Sequence, residues 1–410
     1  MKRISIKRNR VIIAAASVLT VVAGGTAAGA AVLAGPIDSA GVIHGCYYPA
    51  TSSGTHRVVL QNVGKRCPSG STAISWNRVG RTGPRGPQGL PGQQGPPGPG
   101  GLLPSQLTLG VGVPDVLSAT QYRFSAPDQI AFDGSHLWIA NSGGNAVTEV
   151  NPSDGSVVRV LSDVSYGFDD PQGMAFDGSH LWIANTDGNS VTEINNSDGS
   201  LVQVLSGFGY GFNAPVRIAF DGTNMWVTNS AGNAVTEIDA AGSPIQLLNN
   251  SSYQFAKPFG IAFDGLGHLW IANNGGDTVT EIKTDGSLVR VLNGVAEFFG
   301  PAEIAFDGQH LWITDNAAGA VTEINATDGS LAGAVTTSGQ PQDLAFDGVH
   351  LWVTNFQGTV SEIDPGTGAV VNTLTPAAYH FKDTNAIAFA GDHLWITDSK
   401  SNTLTAVQGP

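Results

Sequence analysis

The chain has 410 residues, 41% of them hydrophobic, with 33 acidic against 19 basic residues and a formal net charge of −14. That length can bury a sizeable core, and the acidic balance excludes electrostatic binding of nucleic acid or of an anionic membrane surface. The imbalance is local: residues 1–103 carry 11 basic residues against Asp38 alone, whereas the rest of the chain carries 8 basic against 32 acidic residues.

Lys2, Arg3, Lys7, Arg8 and Arg10 precede an apolar run from Val11 to Val22 and a tract of small residues. This is the layout of an export signal in residues 1–34, with Ala28-Gly29-Ala30 as a candidate cleavage site; left uncleaved, Val11 to Ala34 is long enough to span a bilayer as an anchor. Both readings predict a secreted or cell-surface protein that touches the membrane only through such an anchor. Residues 40–79 form a small segment holding the two cysteines of the chain, Cys46 and Cys67. In an oxidising exterior a disulfide between them is expected, and weak alternation in Arg57-Val58-Val59-Leu60 and Ile74-Ser75-Trp76 predicts a few short strands. His44 beside Cys46 leaves too few ligands for a closed zinc site.

Residues 80–100 are a spacer in which glycine falls at every third position, Gly80, Gly83, Gly86, Gly89, Gly92 and Gly95, with prolines between. Only glycine fits the axis of a collagen triple helix, so the period has a mechanism, and a trimer is the assembly it allows. Six triplets are few, and the other reading is an extended polyproline II spacer. The two cysteines, Ser75-Trp76-Asn77 and these triplets together resemble the short collagen-like exported proteins of actinobacteria.

From residue 105 to 410 one unit recurs. Ile130 to Asn141, IAFDGSHLWIAN, returns six more times almost unchanged, and its tryptophan recurs at Trp138, Trp182, Trp226, Trp270, Trp312, Trp352 and Trp395. The intervals, 40 to 44 residues, match one four-stranded propeller blade. In the first copy Ile130-Ala131-Phe132 predicts strand a, Asp133-Gly134 a tight turn, Leu137 to Ala140 a strand b covered on both faces, Ala146 to Val150 strand c and Val157 to Leu161 strand d. The last copy, Ile387 to Val407, lacks strand d, while Val111 to Leu117 is a strand d with no blade before it. The two incomplete ends predict an all-β, seven-bladed β-propeller closed by an N-terminal strand pairing with the C-terminal blade.

Repeats of Phe-Asp-Gly-x-His-Leu-Trp, most followed by Gly-x-x-Val-Thr-Glu, make residues 111–410 resemble the NHL-type and YncE-like propellers, and especially the streptogramin (virginiamycin B) lyase superfamily. The resemblance implies the fold, and as an activity a carbon–oxygen lyase that removes a proton with a histidine and neighbouring acid at the channel mouth, assisted by magnesium. The histidines at 136, 180, 268, 310, 350 and 393, the turn aspartates and the strand c glutamates recur blade by blade, so folding rather than catalysis accounts for them.

Function is expected where equivalent positions differ. The two residues between the loop proline and strand a are such positions: Asp128-Gln129, Gln172-Gly173, Val216-Arg217, Phe259-Gly260, Ala302-Glu303, Gln342-Asp343 and Asn385-Ala386. Strand a is innermost in a propeller, so these pairs line the channel mouth. Asp128, Gln129, Gln172, Arg217, Phe259, Glu303, Gln342, Asp343 and Asn385 are the candidate ligand-binding residues, with Arg217, Glu303 and Asp343 at the centre, where they either meet the ligand or plug the channel as a mutual salt bridge. Aromatics of the preceding loops, from Tyr122 and Phe124 to Tyr379 and Phe381, offer a rim or else cover the blade tops. None of the seven pairs contains histidine, so a general base falls to His380 or Glu303, and a hard cation to Asp128, Glu303 and Asp343. The leading expectation is a non-catalytic recognition module for a small molecule, glycan or peptide with no cofactor. The alternatives are a streptogramin-type lyase with a divalent metal such as magnesium, and a structural collagen-like surface protein.

Overall fold

The computed structural model describes residues 42–48, 57–60, 66, 69, 72–77, 115–118, 120–294 and 298–408. The chain forms two units, Met1–Gly86 and Pro87–Pro410. In the first, Val42–Tyr48 is the middle strand of an antiparallel sheet between Arg57–Leu60 and Thr72–Asn77. Cys46 lies opposite Val59 and Ala73 in that sheet. Cys67, and with it the expected disulfide, lies outside the described residues, as do the export signal or anchor and the glycine triplets. Among the described residues no helix is long and apolar enough to cross a membrane.

The second unit is a seven-bladed propeller: seven antiparallel sheets of four strands in the order a-b-c-d. Strand a of each blade packs against strand a of the next, and that of blade seven (Thr384–Ala390) against that of blade one (Pro127–Phe132), so the ring closes around a central channel. Closure comes from Asp115–Leu117, which pairs antiparallel with strand c of blade seven through Leu404↔Leu117, Thr405↔Val116 and Ala406↔Asp115. Residues 111–114 of the expected strand lie outside the described residues.

The repeated motif is a folding device. Strand b is buried at every position in blade one (Leu137–Asn141), because neighbouring blades cover both its faces. The seven tryptophans are the largest fully buried side chains. A buried indole N–H needs an acceptor. In six blades the turn aspartate supplies it, as in Trp138 Nε1 donating to Asp133 Oδ2 at 2.8 Å. The other carboxylate oxygen accepts turn N–H groups, here that of His136 at 2.7 Å. His136 Nδ1 in turn lies 3.2 Å from Glu149, and Glu149 lies 2.8 Å from Arg159 Nε on strand d.

The asparagine after strand b's loop has a second task. Asn145, Asn189 and Asn402 adopt positive φ (48, 49 and 53°), a region asparagine tolerates better than most residues. Each carboxamide oxygen then accepts an N–H from the loop entering the next blade: from Asp170 at 3.0 Å, Ala214 at 2.8 Å and, across the seam, Ala126 at 2.7 Å. The loop aromatics also join blades. Tyr122 stacks on Phe124 at 5.2 Å, and its hydroxyl donates to the carbonyl of Gly155 in blade one; Tyr166, Tyr210 and Tyr253 repeat that bond to Gly199, Gly242 and Gly286. Of the two roles open to these aromatics, the structure gives them the packing one.

Candidate functional site at the channel mouth

The sequence places the start of strand a at Ile130, whereas the structure extends it back to Pro127. Pro127 pairs with Asn141 and Ile130 with Ile139, so three steps on strand a oppose two on strand b. This is a β-bulge, and it contains the variable pair. The same irregularity follows the first residue of strand a in the other six blades. A bulge re-aims side chains and commonly sits beside functional sites.

Two of the pairs carry glycine for a packing reason. A Cβ on Gly173 would lie 2.4 Å from the carbonyl oxygen of Val216, and one on Gly260 would lie 2.2 Å from that of Ala302. The neighbouring strand a passes too close for any side chain. These positions belong to the fold rather than to recognition.

The remaining residues separate into levels. Asp128, Arg217, Phe259, Gln342, Asp343 and Asn385 line one cavity of about 270 Å³ at the mouth. Gln129 and Glu303 line a second cavity of about 130 Å³ deeper in the channel, to which Arg217 and Asp343 also contribute. Arg217 and Asp343 therefore form the floor of one and the ceiling of the other. Gln172 and His380 line neither: Gln172 Nε2 donates to Asp170 at 2.9 Å, and His380 is exposed beyond the short helix Pro376–Tyr379. Sequence reasoning missed Asn274 and Asn316, which follow strand b and join the mouth cavity. They too differ between blades, as Ser142, Thr186, Ser230, Phe356 and Ser399 occupy the equivalent place. The comparison of equivalent positions, extended to that loop, finds them.

Arg217 is committed to partners. Its Nε donates to Glu303 Oε1, its Nη1 donates to the carbonyl of Val216 at 3.1 Å, and its guanidinium lies 4.6 Å from the centroid of Phe259. Both Arg217 and Glu303 are 9% exposed, so this pair spans the channel as a polar plug rather than presenting a free fork. Burial works against the Arg217 cation, but the carboxylates of Glu303, Asp128 and Asp343 outweigh it and raise its pKa. Burial also raises Glu303, against the pull of Arg217. Asp343 faces the lumen yet lies deep in the ring, and burial followed by the nearby Glu303 carboxylate pushes it up to about 7. Three carboxylates thus share one guanidinium, and the site holds a surplus of negative charge.

The oxygens are not idle. Asp343 accepts the N–H of Leu344 at 2.8 Å and of Ile387 at 3.1 Å, and Asp128 accepts from Asn385 Nδ2 at 3.4 Å. A magnesium ion would have to displace these donors and Arg217 to gather three carboxylate ligands, so the donor set does not fit a hard cation. A tighter set of potential ligands lies elsewhere, at Asp177, His180 and Glu193. It is the blade-two copy of the repeated network, with His180 Nδ1 lying 3.2 Å from Asp177 and 3.4 Å from Glu193.

With this geometry established, known proteins give a limited comparison. No protein-family model matches the sequence, and no curated protein matches it. Solved structures do. The chain superposes on a catalytically inactive variant of virginiamycin B lyase from Staphylococcus aureus with quinupristin, at a TM-score of 0.59 and 18% identity over 72% of this chain and 98% of that one. In fold, the chain is similar to the virginiamycin B lyases. A streptogramin B lyase structure gives 0.57 at 16% identity over 72% and 96%. Hydrazine synthase of Kuenenia stuttgartiensis gives 0.55 at 18% over 70% and 96%. Proteins named for different reactions share the ring, so the likeness carries architecture alone.

Proposed function

We propose that this propeller is an exported binding module whose ligand sits at the channel mouth and carries cationic or multiple hydroxyl groups. The observation that carries the reading is the broken symmetry of the ring. Residues that fold a blade recur in six or all seven blades, whereas Asp128, Phe259, Gln342, Asp343 and Asn385 occupy equivalent places with different chemistry and meet in one cavity. The ligand class follows from the charge. Arg217 is held by Glu303 and Phe259, which leaves the carboxylates of Asp128 and Asp343 and the amides of Gln342, Asn274, Asn316 and Asn385; among the described residues that line the cavity there is no other cation to attract an anion. Export is supported by the basic and apolar N-terminal pattern. A lyase reading has the fold behind it but lacks a histidine among the mouth residues.

An array of amines, glycans and organic acids tested against the full chain decides the matter. Amines or polyhydroxylated compounds are expected to bind, and the double variant Asp128→Asn, Asp343→Asn is expected to lose at least tenfold in affinity. Binding confined to organic acids, or untouched by the double variant, contradicts the proposal. Linearisation of a streptogramin by the chain would favour the lyase instead.

A further inference from the structure

The blade that closes the ring has lost the acids that its six siblings keep. Where the others place the turn aspartate, blade seven has Ala390, and where they place the strand c glutamate it has Ala406. The loss has a measurable consequence. Trp395 is 2% exposed, and its Nε1 has no hydrogen-bond partner among the described residues, whereas the indoles of the other six blades each donate to an aspartate. Native proteins rarely leave a buried donor unpaired, and such a group marks strain, function or a partner from outside the chain.

The third part of the network is altered as well. At the seams around blades one to four, a long strand d side chain fills the gap to the next blade: Arg159 toward Ser197, Gln203 toward Ala241, Gln246 toward Asp285 and Arg290 toward Thr327. The residue at that register in blade seven, opposite Ala406, is Asp115 rather than an arginine or glutamine. At the seam between blades seven and one there is a pocket of about 250 Å³, lined by Trp395, His393 and Ala406 on one side and by the turn from Pro152 to Gly155 on the other. At ~30 Å³ per water this is room for a small organic molecule. Val116, Ser153 and Asp154 at its edge are exposed, so it opens to solvent.

We propose that this seam pocket binds a small carboxylic acid, whose carboxylate takes the place that aspartate and glutamate side chains fill in the other six blades. The chain itself provides the comparison six times over: the same indole N–H, in the same blade position and with a histidine beside it in five of the six, is met by a carboxylate wherever the sequence supplies one. His393 stands where those histidines stand, with its Nδ1 2.6 Å from Asp392 and its ring 6.1 Å from that of Trp395. The site is independent of the channel mouth and shares none of its residues.

The test follows the indole N–H resonances of the full chain by NMR, with that of Trp395 assigned through Trp395→Phe. Acetate, acetamide and methylammonium are titrated at constant ionic strength. Acetate is expected to shift the Trp395 resonance saturably, while the six indoles already bonded to aspartate stay in place and the other two compounds have no effect. Ala390→Asp, which restores the internal acid, is expected to weaken the acetate response at least tenfold. Should that variant misfold, as the six other resonances would report, Ala406→Glu replaces it. A Trp395 resonance that ignores acetate, that responds equally to acetamide, or that keeps its acetate response in the refilled variant overturns the proposal.

Discussion

Asp315 shows how one atom sets a residue's cost. Five blades end strand b with a buried asparagine, as at Asn141, whose Nδ2 donates to Thr148 at 3.0 Å. Blade five has Asp315 there, 1% exposed, with Thr322 donating to one oxygen. Blade seven also has an aspartate, but Asp398 accepts N–H groups from Asp383 at 3.2 Å and Ser401 at 2.8 Å. Burial pushes Asp315 up to about 6. A folded-state pKa raised above the unfolded value means that the folded chain binds the proton more tightly. The stability this confers is complete below pH ~4 and is lost as pH rises through about 6 for Asp315 and about 7 for Asp343. The melting temperature is therefore expected to fall between pH 5 and pH 8. Asp315→Asn should recover on the order of 2 kcal/mol at pH 8 and make the profile shallower. Melting curves across that range check it, and a variant no more stable than the parent at pH 8 would show that Asp315 is not paying a burial penalty.

At the scale of elements, one seam joins the two ends of the ring. Six seams join blades continuous in sequence, and the seventh is closed by the packing of strand a on strand a, by Thr397 Oγ1 donating to the carbonyl of Asp128 at 3.1 Å, by the bond from Ala126 to Asn402 and by the short strand Asp115–Leu117. Removing residues 105–117 takes away the pairing to strand c of blade seven and the packing of Leu117 against Gly155, and it leaves an open sheet edge. The expected loss is on the order of 3 kcal/mol, with self-association through the freed edge. Thermal melting with size-exclusion chromatography reads both. A truncated chain that melts within a degree or two of the parent and stays monomeric means that this strand does not hold the ring closed.

For the molecule as a whole, the repeat made the fold legible. Tryptophan spacing counts the blades, and the two incomplete ends show how the ring closes, because a propeller's long-range order is the same local unit stated seven times. The site was legible only in part. Comparing equivalent positions found Asp128, Arg217, Phe259, Gln342, Asp343 and Asn385, but it ranked Arg217 as a ligand contact ahead of the salt bridge across the channel that the structure shows it making with Glu303. It also passed over Asn274 and Asn316, which approach the mouth from another loop, and the paired alanines of blade seven, whose meaning lies in what they omit. The central claim is that recurring residues fold this ring and differing ones bind. It is tested most directly by melting Asp343→Asn and Asp307→Asn with and without the tightest compound from the array. Asp307 accepts Trp312 Nε1 at 2.9 Å and the N–H of His310 at 2.7 Å, so its variant should lose about 1.5–3 kcal/mol of stability yet keep the full ligand-induced rise. Asp343→Asn, which gives up one backbone acceptor but no longer buries a charge, should melt within a few degrees of the parent and lose that rise; a reversal of the two patterns would contradict the account.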